Sequence, residues 1–122
     1  MKNKHFFIVT ILLSVLLLTI GNSCKKSNDS NNNNNNATTK NISIVGMTYS
    51  PASLTVAKGT MIKWTNTDSS PHTVTSNDGT SFDSGNMNNG GTFTYTANVA
   101  GTFDYHCTIH GLMMSGILIV TP

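Results

Sequence analysis

Near the end of the 122-residue chain, the stretch "YHCTIHGLMMSG" (residues 105–116) gathers Cys107, His110, Met113 and Met114 within a few positions. The chain has only two cysteines, and the other, Cys24, lies far upstream, so Cys107 has no nearby partner for a disulfide. A free thiol is reactive unless it is buried or occupied by a metal. A second imidazole is offered by "SPHTVTS", where His72 follows Pro71. Two imidazoles, one thiolate and a weak thioether suit copper in both oxidation states, since sulfur favours the reduced ion while imidazole accommodates either. Such a site passes single electrons. Zinc also takes two His and one Cys, but the paired cysteines of structural zinc sites are missing. A Cys–His nucleophile would need a third group to orient its base, and none is evident. Taken alone, Cys107 is equally readable as a small core residue, and Met113 or Met114 as core filler.

The convergence of these residues depends on strands. In "GTFDYHC", Phe103, Tyr105 and Cys107 share one phase, and Thr102, Asp104 and His106 share the other. The aromatic set should face the core, which turns Cys107 inward at the end of its strand and leaves His106 toward solvent. His72 and Val74 are in phase, so a buried Val74 sends His72 into the same interior. His110 follows Cys107 by three positions, across the turn "TIHG". One imidazole from a distant strand and one from a nearby turn can then meet the thiol.

The rest of the folded part reads as β throughout. Ile42 and Ile44, Leu54 and Val56, Ile62 and Trp64, and Phe93 and Tyr95 each sit in phase within short alternating runs. "SGILIVT" is apolar at consecutive positions, which leaves its phase open. Turn signals separate the runs, among them "KG" at 58–59, the run from Asp68 through two serines to Pro71, "NDG" at 77–79 and "NNGG" at 88–91. No stretch has helical periodicity. About seven such strands predict an all-β sandwich or barrel over residues 40–122. The short segment rich in Gly, Asn and Ser between His72 and Cys107 predicts an abbreviated strand on that side.

The ends of the chain have a different character. Lys2, Lys4 and His5 precede an apolar run from Phe6 to Ile20, followed by "GNSC". That is the anatomy of a secretion signal over residues 1–23, and at about 15 residues the run is short of the roughly 20 that span a bilayer. A small-residue stretch ending in cysteine resembles a bacterial lipoprotein box, which makes Cys24 the expected lipidation site. Gly21 departs from that box, which usually has leucine there, and an ordinary signal peptide with an incidental Cys24, or an uncleaved anchor, is the plainer alternative. Residues 24–39 include "KKSNDSNNNNNNATT", too polar to offset the entropy of ordering, and are expected to be a flexible tether to a membrane in the bacterial cell envelope, on its periplasmic or outer-surface side. The whole chain is net +2, yet from Lys40 onward three lysines face four aspartates. No basic patch remains to bind nucleic acid.

From Ile42 to Thr121 the chain resembles the cupredoxins, the small blue-copper proteins, and most closely their plastocyanin, pseudoazurin and amicyanin branch. "PHTV" and "GTFDYHCTIHGLMMSG" carry the resemblance through ligand order, spacing and strand context together. It implies a Greek-key β-sandwich of seven to eight strands with one type 1 copper. His72, Cys107 and His110 would be the ligands in the trigonal plane, with a methionine as the long axial ligand. The family usually places that methionine two residues before a glycine, which selects Met114 ahead of Gly116; the amicyanin spacing of three residues after histidine selects Met113. Met114 is preferred, because Gly116 starts the closing strand and sets its register. Thr73 stands where the family often has an asparagine that ties the ligand loops together, which predicts a weaker clamp. The resemblance further implies a monomeric one-electron carrier rather than an enzyme, docking a redox partner near His110. A copper-storage module without electron transfer is the alternative.

Overall fold

The computed structural model describes residues 38–122. The expectations for the secretion signal, Cys24 and most of the tether lie outside the described residues. Eight strands follow one another: β1 (Thr39–Val45), β2 (Thr48–Ser50), β3 (Ser53–Ala57), β4 (Met61–Asn66), β5 (Thr75–Ser76), β6 (Thr92–Thr96), β7 (Gly101–Cys107) and β8 (Gly111–Thr121). They form two four-stranded sheets, ordered β2-β1-β4-β6 and β3-β8-β7-β5. The fold is therefore the expected all-β sandwich, and the described residues contain no helix. Only the β1–β2 and β7–β8 connections stay within a sheet; every other connection between the strands crosses from one sheet to the other.

The alternation seen in the sequence becomes the inner face. Ile42 and Ile44 of β1, Ile62 and Trp64 of β4, Val56 of β3 and Tyr105 of β7 are all buried, while their neighbours in the opposite phase are more exposed. Trp64 sits amid aromatic rings, with centroids 5.8 Å from Phe82, 5.7 Å from Phe93 and 5.8 Å from Tyr105. Its indole N–H points to the Tyr105 hydroxyl at 3.5 Å. Burial pushes the Tyr105 phenol up to about 12, with the Trp64 bond pulling slightly the other way.

β8 resolves the phase left open by its apolar run. Met114, Gly116, Leu118 and Val120 face inward, and Met113, Ser115 and Ile117 face outward. The register is pinned where Gly116 lies opposite Tyr105. A Cβ on Gly116 would lie 2.3 Å from Tyr105 Cζ, so the tyrosine ring occupies the space that only glycine leaves free. The strand after His72 is abbreviated as expected, since β5 has two residues.

The two-residue turn of the β1–β2 hairpin is held from outside. Gly46 and Met47 both have positive φ, +57° and +61°, the handedness that lets a two-residue loop follow the twist of its strands. Glycine adopts it freely; for Met47 it is unfavourable and must be held by other contacts. Those contacts come from Asp68, which accepts hydrogen bonds from the backbone N–H groups of both residues at 2.8 and 3.1 Å.

Candidate metal centre

Three side chains predicted to converge do so. His72 lies just before β5, where its backbone exchanges hydrogen bonds with Met87 at 3.1 and 2.8 Å. Cys107 ends β7, and His110 sits in the turn to β8, its N–H donating to the Cys107 carbonyl at 3.2 Å. The thiol sulfur is 3.8 Å from His72 Nδ1 and 3.4 Å from His110 Nδ1. One ligand atom from each residue falls within 4.8 Å of the others. With metal–nitrogen bonds of about 2.0 Å and metal–sulfur bonds of about 2.3 Å, donors at such separations reach one ion.

The sulfur is set in a buried, structured surrounding. Cys107 and His72 are both 0% exposed, and Cys107 is a free thiol. The backbone N–H of Thr73 points at the sulfur at 3.4 Å. Thr73 also joins the two loops that carry the donors. Its hydroxyl accepts from the Thr108 N–H at 2.8 Å and lies 3.2 Å from the Thr108 hydroxyl. The expectation of a weaker clamp at Thr73 meets a threonine pair that spans the same gap. The Tyr49 hydroxyl donates to the Thr73 carbonyl at 2.5 Å. Burial pushes the Tyr49 phenol far above its ordinary range, with the nearby Cys107 and Tyr105 adding to the shift. Tyr49 therefore stays a neutral donor.

The methionines separate by phase. Met114 is 1% exposed on the inner face of β8, whereas Met113 is 84% exposed. Leu112 and Ile109 are exposed beside it, so the half-buried His110 is flanked in sequence by apolar surface. His106 lies outside the donor group; its ring Nδ1 is 2.6 Å from Asn77 Oδ1.

Two site residues escaped the sequence reading. Asp68 places its carboxylate 3.0 Å from His72 Nε2, the ring atom away from the sulfur. The Met47 and Gly46 N–H groups hold this carboxyl below the usual carboxylate range against the opposing effect of its partial burial, and His72 lowers it further. Asn66, fully buried, accepts from the Asp68 N–H at 2.9 Å and donates to the carbonyls of Ser70 and Met87, each at 2.8 Å. The signal available for Asp68 was its place four residues before a candidate ligand.

The donor set fits copper on chemical grounds: two imidazoles and one sulfur within reach of a single ion, a hydrogen bond to that sulfur, and no second cysteine among the described residues to make a structural zinc site. The family model of the cupredoxin-like domain matches residues 10–120. No curated protein matches significantly. Among solved structures, a methionine-to-alanine variant of amicyanin in its Cu(I) form is 28% identical, with 66% of this chain and 80% of that chain covered and a TM-score of 0.61. A reduced tryptophan-to-tyrosine variant of amicyanin is 26% identical over 70% of this chain and 84% of that one, with a TM-score of 0.63. A purple cupredoxin from Nitrosopumilus maritimus is 31% identical over 66% of this chain and 98% of that one, with a TM-score of 0.59. The order of strands, the grouped donors and these likenesses agree, and the chain belongs to the cupredoxin-like family, as a cupredoxin of the amicyanin and plastocyanin type.

Proposed function

We propose that the protein would hold one copper ion through His72, Cys107 and His110, with Met114 as the fourth ligand, and would work as a one-electron carrier rather than an enzyme. When bound, copper would supply one-electron redox chemistry between Cu(II) and Cu(I), with a reduced partner as electron donor and an oxidised partner as acceptor. The protein's own part is to hold the donors still, so that little moves as the charge changes. His72 is fixed by its backbone bridge to Met87, and Cys107 by the strand and the Thr73 N–H. Thr73 and Thr108 tie the two loops to one another. The core excludes water from the sulfur, which protects the thiol from oxidation.

Met114 is chosen because it is the buried member of the methionine pair, in phase with Gly116 on the inner face of β8. The partner docks over His110, where Ile109, Leu112 and Met113 offer exposed apolar surface. Lipidation at Cys24 would tether the monomeric carrier to a membrane in the bacterial cell envelope, on its periplasmic or outer-surface side.

The observation that carries this reading is the buried free thiol facing two imidazoles, with a backbone N–H aimed at the same sulfur. The test is to add Cu(II) to the purified chain and record the visible spectrum and voltammetry. An intense visible band, lost in Cys107→Ser, and a reversible one-electron wave are expected. A colourless complex refutes the site, and a coloured complex that cycles irreversibly favours storage.

A further inference from the structure

Among the residues around the donor group, Asp68 has a placement that its structural duties do not exhaust. Its carboxylate is anchored independently of the histidine, by the Gly46 and Met47 N–H groups at 2.8 and 3.1 Å. Its own backbone is fixed as well: the N–H donates to Asn66 Oδ1 at 2.9 Å and the carbonyl accepts from Asn89 Nδ2 at 2.9 Å. The remaining approach is toward His72 Nε2 at 3.0 Å, on a ring that is 0% exposed. His110 has no carboxylate partner among the described residues; the hydrogen-bond contact of its ring is the Cys107 sulfur.

We propose that Asp68 is a positioning residue that fixes the tautomer of His72 and sets a negative charge behind it, thereby lowering the reduction potential of the copper centre. The inference rests on the copper reading above. An ionised carboxylate only accepts hydrogen bonds, so a bond to it requires the proton on Nε2. That leaves the lone pair on Nδ1, the atom 3.8 Å from the Cys107 sulfur. A partner of this kind orients a ligand ring and raises its basicity. The oxidised ion carries one more positive charge than the reduced ion, so a fixed anion behind one ligand stabilises the oxidised form more. The hairpin turn gains from the same group, which makes the β1–β2 turn part of the apparatus that sets the potential.

The experiment uses the full chain. In the metal-free protein, at a pH high enough for the His72 ring to be neutral, nitrogen NMR of His72 should show a single Nε2–H tautomer, and Asp68→Ala should lose that preference. In the copper-loaded protein, Asp68→Asn keeps the shape and an acceptor oxygen while removing the charge. It should remain coloured and lower the Cu(II)/Cu(I) ratio at a fixed electrode potential by tenfold or more, which is an upward shift of at least about 59 mV for one electron. A coloured Asp68→Asn with the wild-type potential overturns the charge effect. An Nδ1–H tautomer in the wild-type chain overturns the positioning role, and that result can be read even if neither variant folds. A colourless wild type falls on the copper reading instead, while the metal-free NMR still decides whether Asp68 positions His72.

Discussion

The contact between Gly116 and Tyr105 permits a quantitative test of how tightly the core fixes the last strand. In Gly116→Ala the new methyl would lie 2.3 Å from Tyr105 Cζ, 2.5 Å from its hydroxyl oxygen and 2.7 Å from Cε2, where ordinary contacts begin at 3.4 Å. The ring must retreat by about 1 Å, and overpacking of this kind costs about 1–3 kcal/mol. It has little room to do so, because Tyr49 packs on it at a centroid distance of 4.7 Å and Phe82 at 5.9 Å. Replacing glycine also stiffens the unfolded chain, which returns about 0.4–1 kcal/mol. The hemmed-in ring places the overpacking cost in the upper part of its range, about 2–3 kcal/mol, so the net loss is about 1–2.6 kcal/mol, and each kcal/mol moves the melting temperature of a domain this small by roughly 4–8 °C. Calorimetry of the metal-free chain should show Tm falling by roughly 4–21 °C on those figures. Tyr105→Leu clears the space, so a double-mutant cycle should show the two changes coupled by at least about 0.5 kcal/mol. A Gly116→Ala protein that melts with the wild type, or strictly additive effects, would refute the reasoning that this pair sets the register of β8.

Three further outcomes follow from the burial and bonding around the site. Met114→Ala should destabilise the metal-free chain by about 2–5 kcal/mol in denaturant unfolding, whereas Met113→Ala, at the surface, should stay within about 0.5 kcal/mol; with copper bound, Met114→Gln and not Met113→Gln should shift the potential. Tyr49→Phe leaves the Thr73 carbonyl without its buried donor and should cost about 1–3 kcal/mol by the same measurement, with the spectrum altered because Thr73 also faces the sulfur. Asp78 accepts from the Ser81 hydroxyl, the Thr80 and Ser81 N–H groups and the Ser76 hydroxyl, which together hold its carboxyl far below the usual range. A carboxyl depressed on folding stabilises the protein above its unfolded pKa of about 4 and loses that effect as pH falls, so the advantage of wild type over Asp78→Asn should be full at neutral pH and shrink in acid denaturant titrations.

Much of the sandwich was legible because alternation is a direct consequence of a sheet with one buried face. Ile42 and Ile44, Ile62 and Trp64, and Tyr105 and Cys107 reveal β1, β4 and β7 in that way. β2 was not legible, since a strand of three residues holds no period to count, and β5 was legible only as an abbreviated strand after His72, without its bounds. The meeting of His72, Cys107 and His110 was legible from strand phase and ligand order. Two spacing rules left the methionines in conflict; the inward phase of β8 makes Met114 the buried one. Asp68 and Asn66 stayed hidden for a different reason. Asp68 meets Gly46 and Met47 only after β1 and β4 pair in parallel, and no local pattern encodes a contact between segments brought together by topology.

The order β3-β8-β7-β5 sets the last-made strand inside its sheet. β3 pairs in parallel with Ile117–Thr121, more than sixty residues further along the chain, so it has no neighbour in that sheet until β8 has been made. Closing so long a loop makes the pairing late in folding as well. Until β8 has been made and docks beside β7, the thiol at the end of β7 lacks that strand's cover. A nascent chain halted before β8 would leave β3 without a neighbour in its sheet and β7 paired with β5 alone.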